Sequence, residues 1–437
     1  MNHAAHCPTF RLDYAQLSDL GMRRPNNQDS MAAVVTENEA TWSQRGHLMM
    51  IADGMGAHAA GELASKLAVD NIPHTYYKLR DLYPPAALRQ AIREANALVH
   101  QKGQSAIGFQ GMGTTCSCLV LLPQGALVAH IGDSRVYRLR EHQLEQLTFD
   151  HSLVWEMAAA GHMAEEDVPA FIPKNVITRS LGPHETVNID LEGPYDVAAG
   201  DVFLLCSDGL SGQLSDLEIG VLLHCLTPHE AVQTLVDLAN LRGGPDNISV
   251  IVAKVGVDGD PSSVDSTRGA GGSAAPSRNS TLLRIASVAC LFAVAFCLVN
   301  TFWVAAAIAA AGLATTIGML VAGRNGRRAS GAIATSIGGP YGNGPYRATK
   351  CKPNQEIVDG LREIAERLRR LKDDTALKVD WSLLDELVGE GRSTADTLPI
   401  GHYCTIIRQY SDAIRQTMAQ IRDQNRTVDD GTAESAS

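Results

Sequence analysis

The chain has 437 residues, more than one ordinary domain needs and enough for two or three. Its formal charge of -11 gives no electrostatic pull toward nucleic acid, and its nine scattered cysteines show no framework of paired spacings, so reduced thiols in a cytoplasmic protein are the simplest expectation. The first ten residues carry histidines and a proline but no apolar core of a signal peptide.

From Phe10 to Asp19 the residues alternate as an edge or half-buried strand does. The polar loop from Gly21 to Ser30 follows, with Arg24, whose guanidinium can offer a phosphate dianion two parallel hydrogen bonds. Such arginines are common on surfaces. Met31 to Val35 is strand-like, and Leu48 to Ala52 is an apolar run closed by Asp53 and Gly54, the pattern of a buried strand. A helix is expected from the Gly61-Glu62 loop to about Leu79 and a second from about Pro85 to Gln104. Strands follow at Cys116 to Leu122 and Ala126 to Ile131, the latter ending in Gly132-Asp133-Ser134, then a hairpin over Ser134 to Arg140 and Gln143 to Leu147. Short connections of this kind mark an antiparallel sheet. A helix at Ser152 to Gly161 leads into an irregular stretch, 162–175, of the sort that touches substrate. Strands resume at Val187 to Leu191 and at Asp201 to Cys206, closed by Ser207-Asp208-Gly209. Two helices, about Ser215 to Cys225 and Pro228 to Leu241, precede Asp246 and a last strand ending near Val257.

Asp53, Asp133 and Asp208 each end a strand, and Asp246 begins one that would run antiparallel to them, so all four can meet at one sheet edge. A lone Asp-Gly after a strand is usually only a turn. Four carboxylates brought together repel unless a cation lies between them, and oxygen-only donors favour Mg2+ or Mn2+ over zinc. Glycine at position 54 leaves its carbonyl open to an ion.

Taken in order, Ser18-Asp19-Leu20-Gly21 through Asn27-Gln28-Asp29, Ala52-Asp53-Gly54-Met55-Gly56 with Gly61-Glu62, Gly111-Met112-Gly113-Thr114-Thr115, Gly132-Asp133-Ser134-Arg135, Thr178-Arg179-Ser180-Leu181-Gly182, Ser207-Asp208-Gly209 and Gly244-Pro245-Asp246-Asn247 resemble the motifs of metal-dependent protein serine/threonine phosphatases of the type 2C class, in their bacterial branch. The resemblance spans roughly residues 10 to 255 and implies an α+β fold of two packed antiparallel β-sheets flanked by helices. It implies that Asp53 bridges two ions, Mn2+ or Mg2+, with the Gly54 carbonyl as a further ligand, and that Asp208 and Asp246 hold the first. Asp133 is implied as ligand of a third, weaker ion and Arg24 as the phosphate-binding and substrate-binding arginine. Gln28 departs from the glutamate of many members, at a metal position that acts largely through water. A general acid for the leaving serine oxygen suits a histidine. Met55 occupies the place where family members carry that histidine, which leaves His58 as the candidate, against a role in the loop alone. Hydrolysis would be direct, by a metal-activated water, and no Cys-x5-Arg loop of a cysteine-based phosphatase is present.

Residues 258–284 are a Gly, Ser, Asp and Pro-rich solvated linker. The run 285–322 has no charged residue and would measure about 57 Å as a helix, close to two crossings of a bilayer core of roughly 30 Å. Asn300-Thr301 offers the turn of a transmembrane hairpin, against a single tilted span or a buried helix, and the basic residues Arg278, Arg284, Arg324, Arg327 and Arg328 flank both ends, so both ends prefer the cytoplasm. A Gly-rich joint, 323–350, precedes a region, 351–428, with two apolar stripes. Ile357, Leu361, Ile364, Leu368 and Leu371 make one, and Ile407, Tyr410, Ile414, Thr417 and Ile421 the other. With Trp381, Leu384 and Leu387 they predict a small antiparallel helical bundle, a docking module of unknown partner, before a disordered tail at 429–437.

The reading is a protein phosphatase anchored in the cytoplasmic membrane, its catalytic domain (1–257) in the cytoplasm, acting on phosphorylated protein substrates of a Ser/Thr kinase. The rival is a catalytically silent regulator that binds phosphoproteins in the same pocket, for which only Gln28 speaks. A nuclease would need a basic groove that the sequence lacks.

Overall fold

The computed structural model describes residues 12–57, 59–161, 172–173, 176–256, 338–374, 379–389 and 399–434. The expected linker and charge-free run lie outside these residues, as does His58. Among the described residues no helix is long and apolar enough to cross a membrane.

Two antiparallel sheets carry the fold. In chain order the strands are β1 (Leu12–Asp19), β2 (Asp29–Val34), β3 (His47–Met55), β4 (Gly113–Thr114), β5 (Cys116–Leu122), β6 (Gly125–Ile131), β7 (Arg135–Arg140), β8 (Gln143–Gln146), β9 (Asp190–Tyr195), β10 (Val202–Cys206), β11 (Ile248–Val255) and β12 (Arg347–Lys350). One sheet runs β1-β11-β10-β7-β8-β12 and the other β2-β3-β5-β6-β9, with β4 paired to β3. The helices are α1 (Glu39–Arg45), α2 (Ala60–Lys78), α3 (Pro84–Gln104), α4 (Leu153–Gly161), α5 (Asp208–Ser211), α6 (Asp216–Cys225), α7 (Pro228–Leu241), α8 (Gln355–Asp374), α9 (Ser382–Gly389) and α10 (Ile400–Glu434).

The apolar runs exist because their strands are covered on both faces. Along β3, Leu48, Met50 and Ala52 point to the layer shared with α2 and α3, while Met49 and Ile51 point between the sheets. Along β10, Phe203 and Leu205 meet that same inner layer, and Val202, Leu204 and Cys206 face the opposite side. Capping boxes open α6 and α7, with Ser215 and Thr227 each exchanging hydrogen bonds with a glutamate three residues on.

The main departures from expectation are at the C-terminal end. The Gly-rich joint contains β12, which pairs with β8 and so extends the first sheet. The two apolar stripes are helical, and α8, α9 and α10 do pack on one another, yet they share one hydrophobic layer with α6, α7 and the outer face of β10 and β11. Leu371 of the first stripe is exposed. The seat for this addition is cut into α6, where a Cβ at Gly220 would collide with the Cys351 side chain. A helix-interior glycine costs roughly 1 kcal/mol relative to alanine, so the close approach gives Gly220 its reason. Cys225 and Cys404 form a disulfide, which corrects the expectation of reduced thiols throughout. α10 continues to Glu434, past the expected start of a disordered tail at 429. Elsewhere α1 was not foreseen, and the strand expected at Val187 to Leu191 is β9, a few residues later.

Candidate active site

Asp53 is not at a strand end. It lies within β3, opposite Asp29 of β2, and its backbone is clamped from the far side. The Asp53 amide donates to Thr115 Oγ1 at 2.8 Å, and its carbonyl accepts from the Thr115 amide at 2.8 Å and Thr114 Oγ1 at 2.9 Å. The motif Gly113-Thr114-Thr115 therefore holds the aspartate's main chain while its side chain stays free to act. Gly54 is required by packing: a Cβ there would run into the Gly61 carbonyl that opens α2. Its amide donates to the Gln28 carbonyl at 3.1 Å, joining the loop before β2 to the β3 rim.

Asp208 opens the short α5, just past β10, and Asp246 sits just before β11, so the antiparallel pairing of those two strands brings them together. There Asp208 lies close enough to Asp53 and Asp246 for the three carboxyls to act on one another's charge. Arg24 Nη2 donates to Asp246 Oδ2 at 2.6 Å, and this bond holds the guanidinium above its usual pKa, with Asp53 and Asp208 adding their fields. Asn247 pins the loop that carries Arg24: its Nδ2 donates to the Leu20 and Asn26 carbonyls and its Oδ1 accepts from the Gln28 amide, at 2.8 to 3.1 Å.

Burial raises Asp53 well above the carboxylate range, and repulsion from Asp29, Asp208 and Asp133 raises it further. Burial, then Asp208 and Asp150, does the same to Asp133; burial, then Asp246, raises Asp208. Among the described residues no three Asp, Glu, His or Cys side chains are already drawn onto a single point. The donor set nevertheless fits hard divalent cations, because Asp133 Oδ1 and Asp208 Oδ1 are buried with no hydrogen-bond partner. The Gln28 amide reaches toward the Gly56 carbonyl at 3.5 Å and lies against Gly61, beside this rim.

The structure thus gathers Asp53, Asp208, Asp246, Asp133 and Arg24 into one electrostatic neighbourhood. Asp29 was not singled out from sequence. It is buried, accepts from Ser207 Oγ at 2.9 Å, and burial pushes it up to about 7. Its place in the Asn27-Gln28-Asp29 motif was one signal for it, and its position opposite Asp53 is visible only once β2 and β3 are paired.

A family model for protein phosphatase 2C matches residues 23–238. The protein phosphatase PhpP of Streptococcus pneumoniae is 35% identical over 253 residues, which cover 56% of this chain and 98% of that protein. A solved serine/threonine phosphatase of S. agalactiae is 33% identical with a TM-score of 0.50, covering 56% of this chain and 100% of that one. A solved catalytic domain of PstP in complex with two manganese ions is 35% identical with a TM-score of 0.48, covering 57% and 100%.

Proposed function

The chain belongs to the protein phosphatase 2C family, and from that premise we propose that it removes phosphate from serine and threonine of proteins at the cytoplasmic face of a membrane. It is a metal-dependent phosphoprotein phosphatase, with Mn2+ or Mg2+ as cofactor. The observation that carries the roles of its residues is the convergence of Asp53, Asp208, Asp246 and Arg24, from four separate segments, on one rim.

Asp53, Asp208, Asp246 and the Gly54 carbonyl would hold two ions and Asp133 a third, with Gln28 a weaker neighbour than a carboxylate would be. When bound, such ions make water a nucleophile at neutral pH and offset charge on the phosphoryl oxygens. Arg24, steadied by Asp246, is placed to take two phosphoryl oxygens and orient phosphorus for in-line attack. His58 is the proposed proton donor to the leaving oxygen. The silent-regulator reading weakens, since every expected metal carboxylate is present. Asp53→Asn and Asp208→Asn should each lower Mn2+-dependent hydrolysis of a phosphothreonine peptide by a factor on the order of 1,000 or more. Retained turnover in both would remove these assignments.

The membrane anchor rests on the charge-free run 285–322 and its basic flanks. Two crossings, rather than one, are supported by β11 and β12 lying in the same sheet: the chain leaves that sheet after residue 255 and returns to it by residue 347. A topology reporter inserted at Asn300 should read extracytoplasmic, and a cytoplasmic reading there would exclude the hairpin.

A further inference from the structure

We propose that Tyr346 and Arg347, which return to the fold after the expected membrane segment, are positioning residues that set the Gly132–Asp133 turn for metal binding. The proposal rests on Asp133 being a metal ligand in the phosphatase reading.

Two lines of contact run from these residues to the turn. The first passes through aromatic rings. Tyr346 meets Phe149 edge-on at 5.4 Å, and Phe149 meets Trp155 of α4 in the same way at 5.4 Å. The Arg347 guanidinium lies over Trp155 at 5.0 Å, while Arg135 lies over that ring at 5.5 Å, so one indole is shared by a cation from β12 and a cation two residues past Asp133. Phe149 is two residues from His151, whose amide donates to the Gly132 carbonyl at 2.7 Å and whose Nδ1 accepts from the Gly132 amide at 3.0 Å. The segment 149–151 is therefore held between the return segment on one side and the metal turn on the other.

The second line is polar and largely buried. Thr349 Oγ1 and Arg347 reach Asp216 at 3.5 and 3.9 Å. Asp216 accepts from the Tyr137 hydroxyl at 3.0 Å, that hydroxyl accepts from Arg135 at 3.0 Å, and Arg135 is paired to Asp150 at 2.8 Å. Both lines end on Arg135, two residues past Asp133, and on 149–151, which holds Gly132 just before it.

The return segment is itself firmly seated, as a positioning element must be. Buried Glu192 accepts from the Tyr346 hydroxyl at 2.6 Å and the Gly344 amide at 3.0 Å, and the Tyr346 amide donates to the Gln146 carbonyl at 2.9 Å. The protein phosphatase 2C match spans residues 23–238, so this support lies beyond the matched residues.

The test uses the full chain, with Mn2+ binding measured by calorimetry alongside kcat, KM for a phosphothreonine peptide, and the melting temperature. Arg347→Ala should weaken the weakest Mn2+ site by about tenfold and raise the Mn2+ concentration for half activation in step, as loss of a supporting partner does. KM for peptide should stay within about twofold, because the substrate arginine is untouched. In a Trp155→Leu background Arg347→Ala should cost less than it does in the wild type, since the line through the ring is already broken and only the one through Asp216 is left to lose. Should Arg347→Ala not fold, Arg347→Lys, which keeps charge but not the stacked plane, should show a smaller weakening of the same site. Unchanged Mn2+ binding in a folded variant, or a fall in melting temperature with no change at the metal, overturns the proposal. A wild-type chain with no Mn2+-dependent hydrolysis would instead defeat the phosphatase reading beneath it.

Discussion

Two parts of one sheet obey opposite rules. At the rim, the ends of β10 and β11 carry Asp208 and Asp246 beside Asp53, and burial and repulsion from neighbouring carboxylates hold Asp53 and Asp208 away from their ordinary ionisation. On the outer face of the same two strands, Leu204, Cys206, Val250 and Val252 join α6, α7, α8, α9 and α10 in a continuous apolar layer. Charges occur there too, but paired: Arg422 bonds to Asp237, which is fully buried on α7. Function asks the rim to keep unmet polar groups, so stability has to come from the face behind it.

The largest test of that contrast removes a pairing from the stable side. Arg422→Ala leaves Asp237 buried without its cation and should cost about 3–5 kcal/mol in denaturant unfolding at pH 8, with hydrolysis of a small phosphate ester preserved below the transition. Burial holds Asp237 at about 6 even with Arg422 beside it, above its unfolded value of 3.8. A raised acid favours the native state while protonated and loses stability as pH climbs through that window, so the variant's deficit should shrink at pH 5. An equal deficit at both pH values would show that Asp237 is not the cause.

A smaller effect of opposite sign is expected at the rim. With EDTA present, Asp53→Asn should melt a few degrees above wild type at pH 8, because it deletes one member of a repelling cluster. By the same sign rule, Asp53 being raised, the gap should narrow as pH falls and the wild-type acid takes up its proton. Mn2+ should reverse the order by stabilising only the wild type. A mutant less stable than wild type in EDTA would mean that the rim is not strained.

Much of the catalytic half was readable because its signals are local. β3, β10 and β11 are apolar on both faces, which makes them continuous runs, and the aspartates that matter sit beside glycine or asparagine at their margins. The C-terminal half hid its arrangement for the opposite reason. β12 is four residues, Arg-Ala-Thr-Lys, with half-buried and exposed positions alternating, and it is held by backbone pairing to β8 some two hundred residues earlier. Its helices showed their stripes, but a stripe states that a face is covered and not by what. The socket around Glu192 and the Cys225–Cys404 bridge are likewise meetings of distant residues that no window of sequence contains.

The notch at Gly220 bears on where this enzyme ends. Similarity to shorter phosphatases stops near the middle of the chain, and a recombinant fragment trimmed to match them would unplug Cys351 from α6 and strip the helices from the outer face of α7. What looks like an appendix by alignment is the second half of a wall, and a fragment lacking it would present greasy, unpaired surface to its neighbours and tend to clump.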